Sequence, residues 1–282
     1  MRLVAFEGAD GVMIGRLDES GALFPLAQRE AFWRDIDGAM AKAGSRPARG
    51  LTLGEARQRP AVPLGARVIC VGLNYRKHAE ESGGTIPTVP IIFARWQASL
   101  ASDGDRVPAI EERFDWEGEL GVVIGKPMFR VDAKAGLAGV FGYCAFNDLS
   151  ARTHQFETPQ WTLGKNSELS GPMGSIVTAD EVGDPGAGLR LTTRRNGEIV
   201  QDDTTADMIF SVGAIIAHVS AVMRLNPGDL IATGTPPGSA RRARRRCSSR
   251  LATLSRWRSK RSARSPIRSS PRRRRHLDKS RR

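Results

Sequence analysis

Short apolar segments alternate with turns that contain Gly or Pro from Met1 to Gly238, and this pattern stops after Gly238. Runs such as LGVVIG and VFGYCAFND have the length and composition of buried strands. Few segments have helical spacing, and strands do not alternate regularly with helices, as a parallel doubly wound sheet would require. The sequence therefore predicts an α+β protein that is mainly β.

Proline and glycine in RPAVPLGA mark a domain boundary. We predict a small N-terminal domain over residues 1–65 and a catalytic domain over residues 66–238. MRLVAF and GVMIGRLD are predicted to pair as strands, and AQREAFWRDIDGAMAKAG is predicted to form a helix that ends at Gly44. In the larger domain, Asn196-Gly197 predicts a β-hairpin, and SVGAIIAHVSAVM predicts a helix with one apolar face.

The three cysteines are odd in number and far apart, which predicts neither a disulfide framework nor a zinc site. Cys70 and Cys144 lie in strand-like segments and are predicted to fill the core. No apolar run approaches the ~18 residues needed to span a bilayer. The segment MRLVAFEGADG lacks the long apolar stretch of a secretory signal. We therefore expect a cytoplasmic protein with no membrane partner.

The positive charge of the chain belongs to its C-terminal segment. Residues 239–282 contain 19 Lys and Arg and one acid, a net +18, so residues 1–238 carry −5 of the total +13. This basic tail lacks helical or strand periodicity. It can be interpreted as a disordered solvated tail, as a nucleic-acid-binding arm, or as GC-rich DNA translated out of frame. Because no nucleic-acid-binding motif accompanies the charge, we favour the frameshift and expect no nucleic-acid partner.

Three acids are candidate metal ligands. Glu117 and Glu119 stand as E-G-E at the start of an apolar strand, where residues two apart point to the same face. Such a pair either faces solvent or is joined by a cation or a proton. Asp148 ends another apolar strand, where it can ligate a metal or cap the next turn. Together the three make an all-oxygen site suited to Mg²⁺, Mn²⁺ or Ca²⁺ rather than zinc.

His78 and Glu81 form H-x-x-E and become neighbours on a helical turn. A carboxylate beside an imidazole orients the ring as a general base, although a surface pair has the same spacing. Lys165 lies among turn-forming residues in WTLGKNSELSGPMG. It is a candidate to bind a substrate carboxylate or a developing enolate, or it is a solvated lysine. His154 and His218 are predicted to be structural.

Six segments, taken in order, resemble the successive motifs of the fumarylacetoacetate hydrolase superfamily. They are VGLNYRKHAEE, FDWEGELGVVIG, FNDLSAR, GKNSELSGPMG, NGEIVQDDTTADMIF and PGDLIATGTPPG. The similarity extends from about Arg67 to Gly238 and is weaker in the N-terminal region. Six motifs in the same order are far more specific than any one of them.

The resemblance implies a mixed β-roll like the C-terminal domain of that family, and a homodimer. By motif, three acids would hold Mg²⁺ or Mn²⁺, with Ca²⁺ as a further candidate: Glu117, Glu119 and Asp148. His78 and Glu81 would activate water on a lid-like segment over the substrate. Lys165 would contact the substrate or the developing charge, and Gly234 and Thr235 would bind substrate oxygens.

The activity implied by the resemblance is metal-dependent hydrolysis of a C–C bond in a 1,3-dicarbonyl or 2-oxo acid, such as an acylpyruvate or fumarylacetoacetate. The route implied is a metal-stabilised enolate attacked by water that His78 activates. A second hypothesis is an isomerase or decarboxylase of 2-hydroxymuconate-type oxo-diacids at the same site, since the motifs define the site and not the outcome. We expect a role in the catabolism of aromatic compounds. Hypotheses of another class are an inactive frameshifted product and a nucleic-acid-binding module.

The chain departs from the family pattern in three ways. First, the GPMGSIVT segment is one residue shorter than the usual run. FARWQASL stands where members often have a lysine or an Arg-Phe-Pro-Ser run, which predicts an altered substrate pocket. The closing strands of the β-roll are replaced by the basic tail. Codons can be chosen for residues 246–270 that encode such strands in a shifted frame, and Trp257, which has a single codon, fits that frame.

Restoring the frame after Gly238 is expected to yield a soluble, active protein, whereas the chain as it stands is expected to be poorly soluble or inactive. Losing a strand pair removes apolar contacts from a fold whose total stability is only about 5–15 kcal/mol. Soluble yield, melting temperature and activity of the two chains test this, and equal values would contradict it. Truncation at Gly238 followed by DNA titration at several salt concentrations tests the nucleic-acid hypothesis.

Overall fold

The computed structural model describes residues 1–44 and 51–239. The predictions made for the tail beyond Ser239, including Cys247, lie outside these residues. No helix within the described ranges is long and apolar enough to cross a bilayer.

The elements follow the chain in an order dominated by strands. The strands are β1 (Arg2–Gly8), β2 (Gly11–Leu17), β3 (Ala22–Gln28), β4 (Leu51–Thr52), β5 (Gln58–Arg59), β6 (Val68–Gly72), β7 (Ile91–Arg95), β8 (Leu100–Ser102), β9 (Phe114–Asp115), β10 (Gly118–Ile124), β11 (Val140–Asn147), β12 (Ser150–Ala151), β13 (Gly171–Met173), β14 (Ile176–Thr178), β15 (Arg190–Arg195), β16 (Glu198–Thr204) and β17 (Leu230–Ala232). The helices are α1 (Arg29–Arg34), α2 (Ile36–Ala41), α3 (Arg76–Glu81), α4 (Ala133–Ala138), α5 (Arg152–Gln155), α6 (Thr162–Lys165), α7 (Ala179–Val182) and α8 (Val212–Ser220).

One large mixed sheet organises the molecule. Its main path runs β4-β3-β2-β1-β14-β11-β10-β17-β6-β7, with β5, β8 and β13 attached beside it. Most neighbours are antiparallel, but β17 and β6 are parallel, as are β13 and β8. Short helices pack around this sheet, so the predicted class, α+β and mainly β, is confirmed.

The N-terminal strands continue the sheet of the larger region, because β1 pairs with β14. Their side chains also share its core: Leu3 and Phe32 belong to the same buried cluster as Cys70 and Cys144. Both cysteines are free thiols in the interior, as predicted for core residues. The domain boundary at residue 65 stays a prediction.

The helix predicted to end at Gly44 is interrupted, so that prediction was wrong in part. α1 and α2 are separate because Asp35 has non-helical backbone angles (φ −142°, ψ 77°). The Asp35 carboxylate accepts a hydrogen bond from the Gly38 N–H at 2.9 Å and caps α2. This side chain competes with the helical backbone, which is why aspartate favours a helix start over a helix interior.

The predicted hairpin is confirmed: β15 and β16 pair in antiparallel fashion around Asn196 and Gly197. Both turn residues have positive φ (52° and 88°), as a type I′ turn requires. The helix predicted from SVGAIIAHVSAVM is α8, which buries Ile215, Ile216 and Val219. It ends at Ser220, so Met223 lies beyond the helix, and that part of the prediction was wrong.

Gly142→Ala is expected to lower the free energy of unfolding by about 1–3 kcal/mol, the usual range for overpacking a well-packed core. A Cβ at Gly142 would overlap the Val177 carbonyl oxygen and lie 2.8 Å from Ile176 Cγ2, which forces β14 away from β11. Urea denaturation measures the change. Gly174→Ala is the matched control, because the nearest atom to its added Cβ, the Ala145 carbonyl oxygen, is 3.6 Å away. Equal midpoints for the two variants would contradict the prediction.

Candidate active site

The three predicted acids meet where β10 begins and β11 ends. These strands are antiparallel with Gly118 opposite Asn147, so the start of one lies beside the end of the other. The Asp148 N–H donates to the Glu117 carbonyl at 2.9 Å, which fixes the two chain segments together. One carboxylate oxygen each of Glu117, Glu119 and Asp148 lies within 4.8 Å of the others, and all three residues are buried. The solvent-facing interpretation of Glu117 and Glu119 is therefore wrong.

Lys165 joins two of these acids. Its Nζ donates to Glu117 Oε2 at 2.6 Å and to Asp148 Oδ2 at 2.5 Å. The residue is only 2% exposed, so its interpretation as a solvated lysine is wrong. It ends the short helix α6, whose position against the sheet aims the ammonium inward. Burial lowers the pKa of Lys165, but the charges of Asp148 and Glu117 together outweigh it and raise that pKa, so the group is cationic.

Arg152 supports Glu117 from the other side, and the sequence analysis did not single it out. Its guanidinium donates to Glu117 Oε1 at 2.5 Å, to Asp115 Oδ2 and to Gln155 Oε1. Burial disfavours the Glu117 carboxylate, but the charges of Arg152 and Lys165 outweigh it and hold the Glu117 pKa well below its usual range. The motif FNDLSAR contained this arginine, but sequence spacing does not show which acid a long side chain reaches.

Arg95 is the second arginine that sequence reasoning missed. It is fully buried and donates to Asp148 Oδ1 through Nε at 2.9 Å and through Nη2 at 2.6 Å. It also donates to the hydroxyls of Ser99 and Ser170. The residue lies in FARWQASL, the segment in which the sequence differs from the family pattern. A charge at the end of an apolar strand was its only signal, and exposed arginines share that signal.

Glu119 differs from the other acids of the cluster in its partners. Asp115, Glu117 and Asp148 each pair with a buried cation. Within the described part of the chain, no ion pair includes Glu119. Burial, together with the charges of Asp148 and Glu117, raises the Glu119 pKa well above its usual value.

The donor set fits a divalent cation. Three carboxylates offer only hard oxygen ligands, of the kind that Mg²⁺, Mn²⁺ and Ca²⁺ prefer. A cation beside Glu119 would also offset the repulsion of its carboxylate by those of Asp148 and Glu117. The cluster is therefore a candidate metal centre.

His78 and Glu81 lie on α3, which follows β6. Because β6 runs parallel to β17, the segments after both strands leave the sheet at the same end. His78 Nδ1 lies 3.4 Å from Glu81 Oε2, and His78 is 5% exposed and lines the cavity that holds the acids. The surface-pair interpretation of His78 is therefore wrong. By contrast, His154 pairs with Glu157 on the exposed surface.

The loop after β17 supports Glu119. The Gly234 N–H donates to Glu119 Oε2 at 2.9 Å. The Thr235 hydroxyl donates to the Gly118 carbonyl at 3.0 Å and accepts from Gln201 Nε2 at 2.8 Å. Thr235 also lines the cavity. These contacts position the loop, and binding of substrate oxygens by Gly234 and Thr235 stays a prediction.

Gln201 is a further residue that the sequence analysis did not single out. Its Oε1 accepts from the Gly118 N–H at 2.9 Å, between the two glutamates, and its Nε2 also donates to the Pro236 carbonyl. The residue lies on the β15–β16 hairpin and is buried. It ties that hairpin to both the start of β10 and the loop after β17. A single glutamine in a polar strand does not indicate this role from the sequence alone.

The cavity at the cluster has a volume of about 100 Å³ and a mixed lining. Its charged and polar lining consists of the three acids with Lys165, Arg152, His78, Gln155 and Thr235. Its remaining lining is Val71, Gly72, Leu73, Phe93, Phe156 and Trp161, and Phe93 lies beside Lys165. The cavity can therefore hold a charged head group and an apolar substituent together.

Comparison with known sequences places most of the chain in one family. Residues 67–258 match the model of the fumarylacetoacetate hydrolase C-terminal domain. A Burkholderia ambifaria protein, provisionally named a hydrolase, is 38% identical over 250 residues, covering 84% of this chain and 87% of the relative. A Burkholderia multivorans protein with the same provisional description is 43% identical over 192 residues, 67% of this chain and 68% of the relative.

Solved structures of related proteins have the same fold, and their names refer to two enzyme activities. A fumarylacetoacetate hydrolase from Exiguobacterium antarcticum is 29% identical with a TM-score of 0.71, over 85% of this chain and 88% of the other. A 5-carboxymethyl-2-hydroxymuconate delta-isomerase from Mycobacterium smegmatis is 32% identical with a TM-score of 0.69, over 85% and 89%. From its fold, its ordered motifs and these relatives, the chain belongs to the fumarylacetoacetate hydrolase family.

Proposed function

We propose that the chain is a divalent-metal-dependent hydrolase that cleaves a C–C bond in a 1,3-dicarbonyl or 2-oxo acid such as an acylpyruvate. The observation that carries this proposal is the meeting of three buried carboxylates with His78 in one cavity. Family membership supports it, and the hydrolase among the structural neighbours supports the reaction class.

His78 is the proposed general base. His78 Nδ1 lies 3.4 Å from Glu81 Oε2. In the tautomer that we propose, Nδ1–H donates to that carboxylate and Nε2 is left as an acceptor. Nε2 then takes a proton from water, and the resulting imidazolium is stabilised by Glu81. Glu81 is itself held, because the Gly238 N–H donates to its carboxylate at 3.2 Å.

Glu117, Glu119 and Asp148 are the proposed metal ligands, for Mg²⁺ or Mn²⁺ with Ca²⁺ as a further candidate. When bound, the cation supplies a Lewis acid for the substrate's dicarbonyl oxygens. Lys165 holds its ammonium at the same end of the cavity, where it stabilises negative charge on the substrate. Gly234 and Thr235 are proposed to contact substrate oxygens next to that end.

The proposal includes a setting for the enzyme. We place it in the cytoplasm, as a homodimer, in the catabolism of aromatic compounds. The homodimer and the catabolic role follow from the resemblance of the motifs to those of the family. Size-exclusion chromatography with light scattering tests the dimer.

Isomerisation of a 2-hydroxymuconate-type acid is the second candidate, because a related solved structure carries the name of such an isomerase. Both reactions use the acids and Lys165. Only hydrolysis requires water to attack a carbonyl carbon, so the dependence on His78 distinguishes the two.

Glu119→Gln is expected to weaken Mg²⁺ or Mn²⁺ binding by at least about 100-fold, because it removes a charged ligand. Mutation of a residue that only supports a ligand already costs up to about 100-fold in metal affinity. Acylpyruvate cleavage should fall to background with either metal. Isothermal titration calorimetry measures the affinity, and absorbance of the enol measures cleavage. Glu198→Gln is the matched control, since Glu198 is exposed at the start of β16. Unchanged metal affinity in Glu119→Gln would refute the assignment.

His78→Ala is expected to lower kcat for hydrolysis by about 100-fold or more, as loss of a general base does. Metal affinity should stay unchanged, because His78 is not among the three acids. Exchange of the substrate's C3 hydrogens with deuterium should persist, since it does not need the attacking water. His154→Ala is the control: it removes a His–Glu pair with the same spacing from the exposed surface. If both variants kept full hydrolytic activity, the base would have to be another group.

A further inference from the structure

The helix that carries His78 is too short to be stable through its own hydrogen bonds. α3 has six residues, Arg76–Glu81, and isolated helices shorter than about 12–15 residues are marginal in water. Its N-cap residue, Tyr75, makes no side-chain hydrogen bond to the first turn. The backbone N–H groups of that turn have no acceptor within the helix. Contacts with other segments must therefore hold α3, and with it His78, in place.

Asp207 supplies the missing cap from a distant part of the sequence. Its Oδ2 accepts a hydrogen bond from the Lys77 backbone N–H at 3.1 Å. A carboxylate at this end of a helix also faces the partial positive charge of the helix dipole. The two residues are 130 positions apart, so the cap reaches the helix only in the folded chain.

A second contact joins the same two segments. The Lys77 ammonium donates to Asp203 Oδ1 at 2.8 Å and to Asp203 Oδ2 at 3.1 Å. The Asp203 side chain is only 6% exposed, so this ion pair is partly shielded from water. Lys77 thus bonds one acid through its backbone and another through its side chain, and both acids lie at the end of β16 or just after it.

The segment that carries the cap is itself fixed to the residues before α3. Asp207 ends a 3-10 turn that directly follows β16. Met208 then forms an antiparallel bridge with Tyr75, and the Ile209 N–H donates to the Asn74 carbonyl at 2.8 Å. The Asp207 carboxylate therefore meets α3 from a backbone that is already paired with the entry to this helix.

His78 lies between two anchored ends of α3. The Asp207 cap holds the N-terminal end. At the C-terminal end, the Gly238 N–H donates to the Glu81 carboxylate at 3.2 Å, and the same carboxylate faces His78 Nδ1. Release of the N-terminal end would let the imidazole shift relative to the acids of the cavity.

We propose that Asp207 is a positioning residue, whose carboxylate caps α3 and thereby holds His78 in place at the cavity. The inference rests on the proposed function for the role of His78 and adds the group that fixes its position. Asp207 is not among the described residues that line the cavity, so it acts on the reaction only through α3.

Hydrogen–deuterium exchange measured by NMR tests the anchoring without any substrate. The Ala79 and Ser82 N–H groups donate to the Tyr75 and His78 carbonyls, so their exchange rates report opening of α3. Asp207→Ala is expected to raise both rates by about five-fold, the usual effect on a helix of losing its capping acceptor. Amides in the β10–β11 ladder should keep their rates, which shows that the fold is intact.

Matched variants assign the effect to the cap. Asp207→Asn keeps an acceptor oxygen and should leave the exchange of α3 near that of the unaltered chain. Asp202→Ala removes a different acid of β16, which bonds Arg190 Nε at 2.6 Å, and should leave α3 unchanged. If Asp207→Ala does not fold, Asp207→Leu, which has a similar shape and no acceptor, should raise the same rates. Unchanged α3 exchange in a folded Asp207→Ala or Asp207→Leu variant, or an equal rise in Asp202→Ala, would overturn the inference.

Turnover separates this inference from the proposed function. In Asp207→Ala, kcat for hydrolysis should fall by about 10-fold or more, because a small displacement of a catalytic group is costly. Metal affinity should stay unchanged. Lost hydrolysis without faster α3 exchange would overturn the positioning role and leave the hydrolase standing, as would full turnover in Asp207→Ala when His78→Ala is inactive. Faster α3 exchange with full turnover in both variants would support the anchoring and count against His78 as the base.

Discussion

The arrangement of this site depends on ion pairs between buried acids and buried cations. Without Arg95, Arg152 and Lys165, carboxylates gathered in a cavity of about 100 Å³ would repel one another and lose hydration. Each cation contacts at least one of the proposed metal ligands, and Lys165 bridges two. The removal of one partner from such a cluster typically costs about 3–5 kcal/mol. The same side chains therefore serve both the stability of the fold and the geometry of the proposed metal centre.

Sheet geometry brings these charges together at one end of the molecule. The antiparallel pairing of β10 with β11 places a strand start beside a strand end, and the parallel pairing of β17 with β6 adds two loops there. Polar side chains then fix the loops, as Gln201 does by bonding both the Gly118 N–H and the Thr235 hydroxyl. Backbone hydrogen bonds of the sheet thus set the separation of the acids.

The lining of the cavity combines two kinds of surface. The acids, Lys165 and His78 form the part at which we place bond cleavage. Phe93 and Trp161 add apolar surface next to it, and the Lys165 ammonium lies 5.3 Å from the Phe93 ring centroid. Relatives in this family carry the names of both hydrolases and isomerases.

Local patterns in the sequence were enough to identify the mainly β class and the Asn196-Gly197 hairpin. They made the three acids candidate ligands but left a solvent-facing pair and a turn cap as alternatives. Period-two alternation and turn chemistry act over a few residues, and the ordered motifs carried the family resemblance. The break at Asp35 was missed because its side chain competes with the helical backbone. Arg95, Arg152 and Gln201 were missed because a long polar side chain is buried only when distant segments supply its partners. Which charges pair, and which apolar side chains line the cavity with them, was decided by the tertiary structure, since ion pairing and desolvation act through space and not along the chain.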